Sequence, residues 1–248
     1  MPLQAVAAPI LQAPDWRQAL DAAATRAGLR NHRDLPLRFV PQGDLPPDIA
    51  YESFISDTGC VPTRDNLHDF FNAMVWLTWP NVKRQLNALQ AAEIMRSPAT
   101  SRGKLRDAAT IFDENAVVLI SCDPALIDAL RAHRWREVFI ERRAAFGRDC
   151  DVRLFGHALM EKLVTPYKAI TAHAWVVAVD DAYFSMPAAQ RAAFIDAHVS
   201  VQLTQGLRTA DFMPLPVLGV PGWWVLQDEA FYADASVFRP TRGTIPDE

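Results

Sequence analysis

A chain of 248 residues holds one large domain or two small ones, and it buries enough surface to fold without disulfides or a structural metal. Half of the residues are apolar and 22% are charged, which excludes a disordered or fibrous protein. A formal net charge of −4 argues against a chain built mainly to hold nucleic acid or an anionic membrane.

The first ten residues are mildly apolar but lack a basic stretch and are interrupted by Pro9, so they are not read as a signal peptide. No run approaches the roughly 18 apolar residues of a membrane span, and the expected location is the bacterial cytoplasm. Asp15 predicts the cap of a helix over about 16–27, with Trp16, Leu20, Ala23, Ala24 and Ala27 inward and Gly28 as its stop. Pro36, Pro41, Pro46 and Pro47 then predict an extended segment wrapped on the body. Residues 1–63 read as a Pro-punctuated N-terminal arm and 64–248 as the main body of a single domain. Asp65 or Asn66 caps a helix that runs to Trp79 and is apolar nearly all round, the pattern of a buried helix. Pro80 begins a second helix with Val82, Leu86, Leu89 and Ile94 inward.

From Arg96 to Arg106 the chain is basic and reads as a loop, and Asp113-Glu114-Asn115 reads as a solvated turn. Val117 to Ile120 predicts a buried strand, and Asp123-Pro124 a helix start. Six arginines between 131 and 148 predict a solvated helix face. Residues 156–168 predict a short helix ended by Pro166, 172–179 a buried strand, and 187–203 a helix. The tail from Met213 reads as irregular with one short strand. These elements predict a helix-rich α+β domain with a small buried sheet and a wrapping arm.

Two polar groupings stand out. His68, Asp69 and Asn72 share one face of a helix that is otherwise apolar. Capping explains the aspartates of that turn, but it leaves a His and an Asn that need partners. His157 and Glu161 lie four apart, a spacing at which the Glu orients the His as a base or both bind a metal. Tyr167, Lys168 and His173 follow closely; His32, His133 and His198 have no such company. A metal needs three or four ligands, which His68, His157, His173, Asp69 and Glu161 would have to supply. HExxH and the paired ExxH sets of di-iron bundles are absent. No cofactor is therefore expected, and a divalent metal is the unfavoured alternative. The GxSxG elbow, Walker loop and GxGxxG are absent too, and Cys60, Cys122 and Cys150 form neither a disulfide framework nor a zinc motif. Arg102 and Lys104 beside Gly103, with Arg106, would clamp a phosphate, although a solvated basic loop is the favoured explanation.

Three blocks resemble a bacterial family catalogued as a domain of unknown function, number 3025. They are His68-Asp69-Phe70-Phe71-Asn72-Ala73 continuing to Pro80, Lys83 and Asn87; Arg102-Gly103 through Phe112-Asp113-Glu114-Asn115; and Gly156-His157-Ala158-Leu159 through Glu161-Lys162-Leu163, Pro166-Tyr167-Lys168 and Thr171-Ala172-His173-Ala174. The resemblance covers roughly residues 40–240, with Lys104 as the one departure, where an apolar residue or Pro is expected. It implies a single-domain bacterial cytoplasmic protein and supplies no mechanism.

The residues favour an enzyme that uses His acid–base chemistry, hydrolysis or group transfer, on a small polar or anionic substrate. His157 is expected as the base in an open pocket, oriented by Glu161, with His68, Asn72 and His173 completing the site. Arg102, Arg106 and Lys168 would hold an anion, with Tyr167 and Asp69 beside them. The alternative is a non-catalytic interaction protein whose polar residues are buried networks that fix the fold. A second alternative is an enzyme acting on phosphodiesters or nucleic acid. A pocket above about 300 Å³ lined by the histidines favours the first reading; a packed interior with every polar group paired favours the second.

Overall fold

The computed structural model of the protein describes residues 3–96 and 103–240. The arm comprises helices α1 (Leu3–Leu11) and α2 (Trp16–Arg26), strand β1 (Arg38–Pro41), helix α3 (Tyr51–Thr58) and strand β2 (Cys60–Thr63). The body follows with helices α4 (Leu67–Thr78), α5 (Pro80–Arg96) and α6 (Lys104–Asn115), strand β3 (Ala116–Ser121), helix α7 (Pro124–Arg131), strand β4 (Cys150–Leu154) and helix α8 (His157–Lys162). It ends with strand β5 (Thr171–Ala178), helices α9 (Ala182–Ser185) and α10 (Ala188–Thr204), strand β6 (Met213–Pro216) and helix α11 (Glu229–Tyr232). The fold is helix-rich α+β.

The main sheet has the order β4-β3-β5-β6. β3 and β5 are parallel, with Val118 opposite Trp175, and each pairs antiparallel with an outer strand. Every residue of β3 is buried, as the unbroken apolar run Ala116-Val117-Val118-Leu119-Ile120 requires of a strand covered on both faces. Its side chains alternate between two cores. Val117 and Leu119 join the layer under α7, Trp135, Phe139 and the tail. Ala116, Val118 and Ile120 join the layer under α5, α6 and α10. A third core lies between the arm and α4, where Leu20, Phe39 and Val61 meet Phe70, Met74 and Trp76. Thus α4 is buried on both sides, Val75 facing the sheet layer and Met74 the arm.

Several expectations need correction. Asp113-Glu114-Asn115 is the last turn of α6, not a solvated turn. The apolar series Leu105, Ala108, Ala109 and Phe112 has helical spacing and packs against the sheet, and that packing carries the helix through its polar residues. Of the basic stretch 96–106, expected as a loop, Arg96 ends α5 and Lys104–Arg106 begin α6, while residues 97–102 lie outside the described residues. Arg131, Arg134, Arg136, Arg143 and Arg148 are exposed, as expected, but they do not share one helix. Glu137–Glu141 form a single π-helical turn with Val138 and Phe139 in the core, and Arg142 bridges Asp123 and Glu137 at 2.7 and 3.0 Å. The helix after Gly156 ends at Lys162, before Pro166. The N-terminal residues Leu3–Leu11 are helical despite Pro9, because Ile10 is drawn into the arm core. α3, β4 and α11 were not foreseen.

Candidate active site

The site forms where α3, α4, α5, α6 and α8 meet. Its first part is the start of α4. The Asn66 side chain accepts from the Asp69 backbone N–H at 2.8 Å. Arg64 lays its fork on the Asp69 carboxylate, with both nitrogen–oxygen distances at 3.0 Å, and its own backbone N–H donates to the same group. Burial alone would raise the Asp69 carboxyl, but these donors hold it below its ordinary value. The carboxylate is therefore committed to anchoring the helix start, and α4 is fixed in rotation.

The second part is the start of α8. A Cβ on Gly156 would lie 2.5 Å from the Glu114 carbonyl oxygen and 2.6 Å from the Asn115 and Ala116 backbone nitrogens. Glycine alone allows α8 to begin pressed against the end of α6. That approach delivers His157 to the wall of α6, beside Asp113.

The two histidines then meet. His157 Nε2 and His68 Nε2 are 3.0 Å apart, and the rings stand edge to face at 83°. Glu161 Oε2 accepts from His68 Nδ1 at 3.0 Å. On the far side, His157 Nδ1 is 3.8 Å from Asp113 Oδ2, too long for a hydrogen bond, and it is buried without a partner. The line of groups is thus Glu161, His68, His157, Asp113: two imidazoles between two carboxylates. His68 and Glu161 are about a third or more exposed, whereas the His157 side chain is 7% exposed. Burial pushes the His157 imidazole down to about 4, against the opposing pull of Asp113 and with Lys83 and His68 adding to the push.

Asp113 leads into a second network. Lys83 Nζ donates to Asp113 Oδ1 at 2.7 Å and to Asn72 Oδ1 at 2.8 Å, and it sits 5.2 Å from the centre of the Trp76 ring. Asn72 Nδ2 donates to the Tyr51 hydroxyl at 3.0 Å. Burial would raise the Asp113 carboxyl, but Lys83 and His157 outweigh it and hold the group ionised. Burial pushes the Tyr51 phenol well up, so Tyr51 stays neutral.

These side chains line a cavity of about 320 Å³ whose wall includes His68, His157, Asn72 and Asp113. Of the residues singled out in the sequence, the structure brings together His68, Asp69, Asn72, His157 and Glu161. Their pairing differs from the one the spacing suggested: Glu161 reaches His68 rather than His157, and His157 is buried rather than open. His173 is elsewhere, on β5, with Nδ1 3.1 Å from Asn115 Nδ2 and its ring edge-on to Phe212. Tyr167 is exposed and does not line the cavity. Lys168 donates to Asp234 at 2.7 Å and lies over the Phe231 ring. Arg106 is half-buried on α6, close enough to Glu52 to lower its carboxyl. Arg102 lies outside the described residues.

Sequence reasoning did not single out Tyr51, Glu52, Arg64, Lys83, Gln90 or Thr110 as site residues, and it placed Asp113 in a solvated turn. One usable signal was there: Lys83, Asn87 and Gln90 stand at helical spacing on one side of α5. Among the described residues, no group of three or more His, Cys, Asp or Glu side chains is arranged to hold a metal ion, and no helix is long and apolar enough to cross a membrane.

No curated protein and no solved structure matches the chain. A family model does: it is described as a protein of unknown function (DUF3025) and matches residues 37–242, which takes in every residue of the histidine and lysine networks. With most of its length under that match, the chain belongs to the DUF3025 family.

Proposed function

We propose that this chain is an enzyme that moves a proton to or from a small polar substrate, in hydrolysis or group transfer, with His68 as the acid–base group. The observation that carries the reading is the histidine pair: a partly exposed imidazole, oriented by a carboxylate, in contact with a buried neutral imidazole on the wall of a cavity of about 320 Å³. That volume falls at the lower end of small-molecule sites.

Proton counting supports the assignment of roles. If His68 Nδ1–H donates to Glu161, one further proton lies between the two Nε2 atoms. With that proton on His157, the Nδ1 lone pair of His157 faces the Asp113 carboxylate, an unfavourable pairing. With an added proton, His68 donates at both nitrogens, to Glu161 and to His157, and His157 Nδ1–H turns toward Asp113. Proton uptake thus improves the contacts at both ends of the line. Burial disfavours charge on His157, and both ring nitrogens of His68 are engaged at rest. In the reacting complex a substrate group therefore takes the place of the His157 contact and exchanges its proton at His68 Nε2 while Glu161 holds Nδ1. Glu161 is a positioning residue in this scheme, and Asp113 fixes His157.

Compared with the expectation from sequence, an anionic substrate loses support. Lys168 is engaged by Asp234, and among the described residues the cavity wall carries Glu52, Asp69, Asp113 and Glu114 against one cation, Arg64. The second reading, a non-catalytic protein stabilised by buried networks, is favoured by the well-partnered Lys83 cluster. The unpartnered Nδ1 of His157 and the open cavity oppose it. A cytoplasmic location is part of the proposal.

The test is a panel of small esters, amides, lactones and phosphoesters, assayed with the parent and with His68→Asn. Turnover of at least one member that falls by about 10²–10⁴-fold in His68→Asn is the expected result. Equal rates for parent and variant on every member would overturn the proposal.

A further inference from the structure

The cavity extends away from the histidines along the antiparallel helices α5 and α6. On α5, Lys83, Asn87 and Gln90 follow at four and seven residues; on α6, Arg106, Thr110 and Asp113 do the same in the opposite direction. The Lys83–Asp113 ion pair marks one end of this shared face. Gln90 lies two helical turns further, about 10 Å along the axis. Helix α3 crosses over the middle. There the Asn87 side-chain amide donates to the Glu52 backbone carbonyl at 2.9 Å and to its carboxylate at 2.7 Å.

Two side chains of this stretch face the cavity without a complementary charge or amide: Gln90 at the far end and Glu52 beside Asn87. Gln90 is 8% exposed and lines the cavity, and its side chain makes no hydrogen bond among the described residues. Its amide atoms are not sealed off in the protein, so they are open through the cavity to a ligand group. Glu52 also lines the cavity, and its carboxylate accepts from the neutral Asn87 amide and, among the described residues, from no cation. The nearby cations are committed or distant. Arg64 is forked on Asp69 and Lys83 is bound to Asp113 and Asn72. Lys83 and Arg106 act on Glu52 through space, without a hydrogen bond. The cavity wall carries Glu52, Asp69, Asp113 and Glu114 against Arg64 among the described residues, and Arg106 does not line it.

We infer that Glu52 and Gln90 form the recognition end of the cavity and bind a primary ammonium group, the Glu52 carboxylate and the Gln90 carbonyl accepting its N–H donors. This deepens the acid–base reading by naming the substrate class: a small amine whose ammonium sits one to two turns along α5 from the Lys83–Asp113 end. The binding itself does not depend on that reading. Burial, with Asp113 adding to it, raises the Glu52 carboxyl, against Lys83, Asn87 and Arg106. A bound cation relieves that cost.

The experiment is calorimetric titration of the full chain at pH 7.5 with n-butylammonium, butanamide and butanoate at matched ionic strength. Saturable binding of n-butylammonium, at least tenfold tighter than either of the others, is expected. Glu52→Gln keeps an acceptor for Asn87 and is expected to weaken the amine at least tenfold while its circular dichroism stays that of the parent; Gln90→Leu weakens it severalfold. If Glu52→Gln does not fold, the pH series of the parent replaces it: affinity falls as pH is lowered and Glu52 takes up a proton. Butanoate or butanamide binding as tightly as the amine, no amine binding, or amine binding unchanged in Glu52→Gln would each overturn the inference. His68→Asn separates the two proposals. It removes turnover if the acid–base reading holds and leaves amine binding intact if this one does.

Discussion

Glu161 stands one helical turn after His157 on α8, yet its carboxylate is 3.0 Å from Nδ1 of His68 on α4. The contact across two helices, rather than the local one, decides which imidazole is oriented. It also ties α4 to α8 at the mouth of the cavity.

The first prediction follows from that contact. Both partners are substantially exposed, so the pair contributes at most about 1 kcal/mol to stability. Glu161→Gln should leave the thermal midpoint within about 2–4 °C of the parent. It should lower kcat roughly 10–100-fold with little change in KM, because loss of a carboxylate behind a working imidazole is felt in orientation and charge. Glu161→Asp should recover part of the loss. Unchanged kcat in Glu161→Gln would remove the positioning role.

His157 gives a pH prediction of definite sign. Its folded value, about 4, lies below the ordinary 6.5. As pH falls, the unfolded chain takes up this proton first. The stability His157 contributes is therefore complete above pH 6.5 and is lost between 6.5 and 4, by up to about 3 kcal/mol. Glu52 and Asp196, both raised by burial, act in the opposite sense, their contribution declining as pH rises through their folded values. The difference in unfolding free energy between the parent and His157→Asn isolates the histidine. It should shrink as pH is lowered through that window. Because His157 is buried rather than open, His157→Ala should cost about 2–4 kcal/mol, or roughly 5–15 °C.

The legible part of the site was the part that breaks a pattern. His68 and Asn72 are polar residues on a helix apolar on all sides, and His157 and Glu161 combine a rare residue type with helical spacing. Lys83, Asn87 and Gln90 break no pattern. On an amphipathic helix, a polar stripe facing a buried cavity has the same periodicity as one facing water. Asp113 was misread because three polar residues in succession resemble a turn; Phe112 and Ala109 decide the matter by packing on the sheet. Among the strands, β3 was visible as an unbroken apolar run and β5 as an apolar run broken only by His173 after its first residues. β4 was not, because Asp151 and Arg153 alternate with its buried residues on a short edge strand. Gly156 was noted only as part of a motif. Its reason, the backbone of α6 against its Cα, is a tertiary contact that no local pattern encodes.

The Lys83–Asp113 pair predicts a large and non-additive effect. Both side chains are nearly inaccessible, at 4% and 12% exposure. Removing one partner leaves a buried charge alone, and Lys83→Met should cost about 3–5 kcal/mol. For a domain of this size that is roughly 6–20 °C. Lys83→Met combined with Asp113→Leu removes both charges and should be less damaging than the sum of the two single changes by more than about 1 kcal/mol. Denaturant unfolding of the four proteins measures this coupling directly; additive effects would mean that the pair is not a unit.

The last prediction tests the placement of α8. The atoms that crowd a Cβ at position 156 belong to backbone, at 2.5 and 2.6 Å, and backbone cannot rotate aside as a side chain does. Gly156→Ala must displace the start of α8 from the end of α6 by on the order of 1 Å to reach ordinary contact. The strain should cost about 1–3 kcal/mol. The functional loss should be larger than that cost suggests. The same displacement draws His157 away from His68, and a misplacement of about 1 Å at a reacting group is worth roughly 10²-fold in rate. Gly43→Ala is the matched control, since a Cβ there meets nothing within 4 Å; its stability and rate should match the parent. Turnover on whichever substrate the panel reveals, measured beside thermal unfolding, checks both halves. A Gly156→Ala protein with parental turnover would show that the contact of the two histidines is incidental to the chemistry.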